Sequence, residues 1–591
     1  MELHSVPDGF PSVASADDGM AGDCRGLNFF DIDQGLQDLL QLNLDPQLLE
    51  ASRTPLRRLG ALAGGRLDEL AAMADRNPPR LHTRDRVGRD EDWIETHAAY
   101  RELEQYAYCD FGIHAIGRRP GLIGLPGTAP ALLRYVCQYL FVQAEFGLIC
   151  PVAMTDSCAH VIATHGSDEL KQRYLEGLTS IDPLRLLKGA QLMTERQAGS
   201  DVGAIATTAV RAADGWAIHG EKWFCSAADA DLILLLARSD PDSHGTRGLS
   251  LFAVPRRLPD GKRNRYAIRR LKDKLGTRSM PTGEIQFDGA HALLVGKEGD
   301  GLKIVLEQVN MSRLSHGVRA AAMMRRCLNE SLVVAHTRRA FGRRLVDMPM
   351  VQPQLLSLRL AAEQALSLAF FVLRWVQSAS AGDADAAARV RVLTPLIKLG
   401  ACRDNVVAAT AAMELRGGNG FITDYVNERL VRDAQTGLLW EGTSNIVAID
   451  LVVRAVGRKH AHQPLLRGLL QELDAAVRRW PAIRVLPLLR QRIDCLSDEL
   501  QHLALQDEPI GAVSLGMRTY HTISAVVLAL EGCHLLRERG DGLRLLYAHA
   551  VLQQRLVAFD SDGQAMIHVA AVRAAALGAV VSTRELEDWG V

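Results

Sequence analysis

Apolar residues recur three and four positions apart over most of the chain, and one central stretch breaks that rhythm. From about residue 30 to 185, "FFDIDQGLQDLLQLNL" and "DWIETHAAYRELEQYAY" carry the helical spacing, and "NPPR" and "GRRPG" interrupt it. "GSDELKQRYLEGL" opens on Ser167, a helix-capping residue, and reads as one amphipathic helix. From about 186 to 297 the pattern shortens. "GWAIHGEKWFCS", "LILLLAR", "LSLFAVPR" and "GEIQFDGAHALLV" are runs of β-branched and aromatic residues bounded by turn residues, which predicts a β-domain. From about 298 long helical stretches return, and four of them with short joins predict an antiparallel four-helix bundle. A further helical stretch follows "KHAHQP". The expected organisation is a flexible start over 1–28, an N-terminal helical domain over 29–185, a β-domain over 186–297, a four-helix bundle over 298–456 and an extra C-terminal helical domain over 457–591.

Composition narrows the function classes. The 591 residues carry a formal net charge of −1, so no overall basic field draws the chain to nucleic acid or to an anionic membrane. From Arg454 onward, 16 Arg and Lys stand against 15 Asp and Glu. Arg478, Arg479, Arg484, Arg490 and Arg492 are close in sequence but do not share one helical face, so the balance does not favour DNA binding. The ten cysteines are scattered singly, with no C-x-x-C pair, which predicts reduced thiols in the cytoplasm and no zinc site. The first twenty residues lack the basic and apolar regions of a signal peptide. No run of eighteen uninterrupted apolar residues occurs, so no transmembrane helix is expected.

Three stretches carry candidate chemistry. "MTERQAGSDVG" (193–203) follows a predicted strand and sets small residues among Thr194, Ser200 and Asp201. That composition suits close backbone approach to a pyrophosphate or a polar heterocycle, and equally a glycine-rich turn at a domain edge. "EKWFCS" (221–226) offers aromatic residues and a hydroxyl to a planar ligand, or ordinary strand core. In "LLWEGTSNIVAID" (438–450) a single carboxylate, Glu441, follows Leu438, Leu439 and Trp440. It reads either as a catalytic acid in an apolar setting or as an acid near a helix N-terminus capped by Thr443 or Ser444.

These stretches, with "RRAFGRRL" and "MELRGGNGF", occur in the order and approximate spacing of the acyl-CoA dehydrogenase flavoproteins, and the resemblance runs from about 140 to 455. "LNFFDIDQGLQDLL", "ADRNPPRL", "LICPVAMT" and "RLKDKLGTRS" resemble the adaptive-response AidB subgroup and extend the likeness to nearly the whole chain. The resemblance implies a helical domain, a β-barrel-like domain and a four-helix bundle, in a mostly α fold. It also implies FAD as cofactor. Met193, Thr194, Gly199, Ser200 and Cys225 would bind it, and Phe224 and Ser226 would flank its ring. Arg338 and Gln352 would reach the FAD of a neighbouring subunit, which implies a homo-oligomer, dimer or tetramer. Gly417, Gly418, Thr443 and Asn445 would complete the cofactor contacts, and Ser200 and Arg313 would approach the substrate. The alternative for Arg313 is a helix-surface salt bridge.

Glu441 then matches the family's catalytic base. The implied reaction is α,β-dehydrogenation of an acyl-CoA or acyl-carrier thioester, with electrons passed to an electron-transfer flavoprotein. Burial against Trp440, Leu438 and Leu439 is expected to raise the basicity of Glu441. The subgroup also implies an alternative, a DNA-binding flavoprotein of the alkylation-damage response with weak dehydrogenase activity. Nitroalkane oxidation fits less well, because that chemistry usually places Asp at the base position.

Overall fold

The computed structural model describes residues 20–506, 508–556 and 568–591. The fold is mostly α with one seven-stranded sheet. Two compact units emerge, Thr54–Ser315 and the combination of Met1–Arg53 with His316–Val591.

The unit Thr54–Ser315 is built around the sheet. The strands Gly189–Leu192, Leu232–Arg238, Thr208–Ala212, Gly215–Ser226, Thr282–Val295 and Leu249–Pro255 neighbour one another in that order. Tyr266–Leu271 pairs beside Thr282–Val295, and Leu232–Arg238 also pairs with Leu249–Pro255, so the strand path closes on itself as in a barrel. The continuous run "LILLLA" is explained by burial on both faces. Ile233 and Leu235 pack with Trp216, Phe252 and Phe287. Leu234 and Leu236 pack with Val161, Ile162 and Val305 on the other side. The helix Ile149–His165 presses on the first strand, where the Thr155 hydroxyl accepts from Gly189 N at 3.0 Å.

One helical expectation fails in this unit. "DWIETH" forms the second strand of a hairpin, Arg80–Arg84 against Asp90–Glu95, and the helix starts only at Ala98, capped by His97. The buried Asp92 carboxylate takes the N–H of Ile268 at 2.7 Å and pairs with Arg263 at 3.0 Å. These bonds hold the segment extended, which outweighs its helical spacing.

In the other unit, helical residues 316–337 join Val351–Ser380, Ala384–Arg416 and Ser444–Ile449, which continues as a wider helical turn through Arg458. The C-terminal helices His462–Arg479, Val485–Ala504 and Ala512–Arg539 pack with them. A buried chain of alternating charge ties the parts together. Asp33 meets Arg325 at 3.2 Å, Arg325 meets Glu363 at 2.7 Å, and Arg544 bridges Glu363 at 3.4 Å and Glu531 at 2.8 Å. Val351–Ser380 and Ala512–Arg539 are long and apolar enough to cross a membrane by composition, but 94% and 72% of their apolar windows are buried inside this chain.

Residues 1–19 of the expected flexible start lie outside the described residues. Over 20–28 the expectation is corrected. Gly22 N donates to the Thr337 hydroxyl at 3.0 Å, and Cys24 is fully buried with its N–H on Glu330.

Candidate active site

The loop after strand Gly189–Leu192 carries Met193, Thr194, Gly199 and Ser200, and a buried ion pair shapes it. Glu195 and Lys222 meet at 2.7 Å with their side chains 1% and 0% exposed. The Glu195 carboxylate also accepts from Ala206 N, Thr207 N and the Thr207 hydroxyl, at 2.8, 3.2 and 2.5 Å. Lys222 spends its other donors on the carbonyls of Met193 and Leu236. Burial tends to raise the Glu195 carboxyl, but Lys222 and the hydrogen bonds around it hold it below its ordinary pKa. Ser200 is left facing solvent. A Cβ on Gly199 would meet only Thr194 Cγ2, at 4.0 Å, so the loop leaves room for close approach.

Strand Gly215–Ser226 delivers the aromatic station. Phe224 is 59% exposed, with Lys272 Nζ 5.1 Å from its ring centroid and 3.3 Å from that of Trp223. Phe224 and Ser226 share one strand face. Cys225 faces the opposite way. Its thiol is fully buried in the sheet core, where burial pushes it up to about 12, so only the main chain of Cys225 is open to a ligand. The next residue, Ala227, sits at φ 52°. Arg313 is 6% exposed and so does not stand on the helix surface.

In the helical unit, Arg338 donates to the Arg416 carbonyl at 3.0 Å and lies 3.5 Å from a Cβ built on Gly417. Arg338 and Gly417 are therefore brought together, although 79 residues apart in sequence by their numbers. Gly417 ends helix Ala384–Arg416 at φ 77°, and Gly418 has open space where a side chain would stand. Buried Arg416 anchors the turn through Asn427 at 2.7 Å and Glu330 at 2.5 Å. Gln352 is buried in the first turn of Val351–Ser380. Between Arg338 and Gln352 lies a tight hairpin with Phe341 (98% exposed) and Gly342 at its tip.

Among the described residues Glu441 is the only acid with a positive φ. It has φ 56°, a left-handed conformation that costs a non-glycine residue about 1–3 kcal/mol. Gly442 follows at φ 100°. Lys398, 1% exposed on helix Ala384–Arg416, donates its ammonium to the Gly442 carbonyl and holds the turn. Trp440 packs edge-on against His316, with centroids 5.7 Å apart. Burial, with Arg319 and Lys398 nearby, holds the His316 imidazole well below its ordinary pKa and therefore neutral. Oε2 of Glu441 is enclosed, but Leu439 is 62% exposed, so Leu439 is no part of the expected apolar wall.

Thr443 occupies the N-cap position of the following helix, with Glu441 two residues before it. Helix Ser444–Ile449 has no acid in its first turn, and Thr443 makes no side-chain cap. Thr443 and Asn445 are both exposed, and Ser444 is engaged by Arg403 at 3.3 Å. The turn that carries Glu441 is strained and is held through Gly442 by buried Lys398.

Sequence reasoning missed Glu195, Lys222 and Lys398. Lys222 shares the inward parity of Trp216 and Ile218, so a charge there signals a buried partner. Lys398 lies in the apolar run "LIKLGA", which carries the same signal.

Three family models match the chain. Residues 20–182 match the adaptive response protein AidB N-terminal domain, 190–290 the acyl-CoA dehydrogenase middle domain and 299–457 the acyl-CoA dehydrogenase C-terminal domain. "Putative acyl-CoA dehydrogenase AidB" of Escherichia coli is 33% identical over 70% of this chain and 76% of its own length. Acyl-CoA dehydrogenase family member 11 of Caenorhabditis elegans is 31% identical over 67% of this chain and 66% of its own. The crystal structure of Caenorhabditis elegans ACDH-11 in complex with C11-CoA superposes with a TM-score of 0.78 and 26% identity, covering 93% of each chain. On this evidence the chain belongs to the acyl-CoA dehydrogenase family, in the branch that carries the AidB N-terminal domain.

Proposed function

We propose that the protein is an FAD-dependent dehydrogenase of an acyl thioester, with Glu441 as the base for the α-proton. The observation that carries this reading is the strained Glu441–Gly442 turn pinned by buried Lys398. The residues fit a flavin dinucleotide. Thr194 and Ser200 offer hydroxyls beside the open Gly199 backbone, and Phe224 and Ser226 present one strand face to a ring. Arg338 with Gly417 and Gly418 offers a cation beside unobstructed backbone for phosphate.

When bound, FAD supplies the acceptor for the β-hydride. The chain's own residues do the rest. Glu441 takes the α-proton, and the rigid turn fixes its carboxylate so that little orientation is lost on the way to the transition state. Hydrogen bonds to the thioester carbonyl stabilise the enolate-like charge. The relative crystallised with C11-CoA supports an acyl-CoA as the thioester. A homo-oligomer and an electron-transfer flavoprotein as acceptor belong to the same proposal, as does a cytoplasmic site of action, which fits the ten free cysteines.

Two of the five C-terminal arginines are taken up by acids, which weakens the DNA-binding alternative. Arg490 is engaged by Asp474 and Asp494, and Arg492 by Glu499. Anaerobic incubation of the FAD-loaded protein with acyl-CoAs of graded chain length tests the proposal. Flavin bleaching with at least one thioester is expected. No bleaching with any, together with salt-sensitive retention of duplex DNA, would favour the alternative.

A further inference from the structure

The helical unit contains a cleft of about 290 Å³ that lies outside the residues assigned above. Its floor is apolar, with Leu42 from helix Gln34–Asn43, Phe371 from Val351–Ser380, and Val527 and Leu530 from Ala512–Arg539. Three arginines stand around it, Arg374, Arg479 and Arg537. Among the described residues Arg374 and Arg479 form no ion pair. Arg374 is oriented instead by the Asn43 side-chain oxygen at 2.8 Å. The Arg479 guanidinium lies 5.9 Å from the ring centroid of Trp480, which also lines the cleft. Arg537 rests 3.1 Å from His534 Nδ1 and 3.4 Å from Glu538.

The acids do not balance this set. Glu531 lines the cleft but is already bonded to Arg544 and Ser367, at 2.8 Å each. Glu472 is the other carboxylate in the lining. An apolar floor under a surplus of arginine is the arrangement that takes a molecule with a hydrocarbon body and an anionic head, because the body covers the floor while guanidinium groups bind the head. The volume lies at the small end for ligand sites, about 300–1,000 Å³, which selects a short body.

We propose that this cleft is a binding site for a small amphipathic anion, a short acyl or aryl body ending in a carboxylate or phosphate. The site is independent of the dehydrogenase reading, since none of its residues belongs to the Glu441 or flavin constellation. Arg479, grouped in the sequence with a basic run, acquires its role here.

Calorimetric titration of the full-length, FAD-loaded protein with octanoate, octyl phosphate, 1-octanol and acetate tests it. Octanoate or octyl phosphate is expected to bind at one site per chain, at least about tenfold tighter than octanol or acetate, the equivalent of about 1.4 kcal/mol. The stronger of the two heads identifies the anion. Arg479→Ala should weaken that binding about tenfold. Ala475→Trp, at an exposed helix position lining the cleft, should fill it and abolish binding with the fold intact by circular dichroism. Any acyl-CoA dehydrogenase activity should be unchanged in Ala475→Trp, so the two proposals fail separately. Binding of octanol equal to that of octanoate, or octanoate binding that survives Ala475→Trp, would overturn the assignment.

Discussion

Lys398 donates its ammonium to the carbonyl of Gly442, 44 residues further along the chain, and so fixes the turn that presents Glu441. The lysine is 1% exposed, and a buried ammonium is costly unless its hydrogen bonds are in place. Lys398→Met should release the turn. The expected result is a fall in kcat of about a hundredfold with KM and FAD content little changed, because a shift of about 1 Å in a reacting group costs that much. Lys398→Arg, which keeps a donor, should recover part of the loss. Equal losses in both variants, with FAD released, would mean that Lys398 serves only the fold.

The strain at Glu441 makes a stability prediction that needs no substrate. At φ 56° a glycine is relaxed and an alanine is not. Glu441→Gly should therefore be more stable than Glu441→Ala by about 1 kcal/mol in urea unfolding, although glycine is ordinarily the less stable residue. Gly442→Ala should be destabilised, since φ is 100° and a Cβ would stand 3.3 Å from Ile446 Cγ2.

Glu195 and Lys222 form a buried pair, and breaking one side leaves the other charge stranded. Lys222→Met is expected to cost about 3–5 kcal/mol of stability and to loosen the loop from Met193 to Ser200. Flavin retention on gel filtration should fall with it. A variant that keeps its flavin at wild-type affinity would separate this pair from the cofactor.

Two histidines set an acid limit. Burial lowers the pKa of His114 and of His521 from 6.5 to about 4. Between those values the unfolded chain binds more protons than the folded one, so stability falls as pH drops from about 6.5 toward 4 and is complete above 6.5. Each group accounts for on the order of 3 kcal/mol across that window. Urea unfolding at pH 7, 5.5 and 4.5 should follow this slope, and His114→Gln should reduce it.

Much of the architecture was legible in the chain. "LILLLAR" is the strand Leu232–Arg238 residue for residue, because a doubly buried strand must be apolar throughout. The long helices follow their 3.6-residue spacing, as in Val351–Ser380. The hairpin at Asp90–Glu95 was hidden, since the bonds that keep it extended come from Arg263 and Ile268, far away in sequence. The site was legible as motifs and not as a mechanism. Glu441 could be singled out, but its left-handed backbone and the lysine behind it arise only from packing. The inward turn of Cys225 was hidden because the strand register shifts between Lys222 and Cys225, and a contiguous motif conceals that bulge.

The most direct measurement is flavin bleaching by Glu441→Gln, mixed anaerobically with the thioester that reduces the wild-type protein. The account predicts that the variant binds FAD and the thioester normally and bleaches about 10²–10⁴-fold more slowly, the range expected for loss of a general base. Bleaching at the wild-type rate would contradict it.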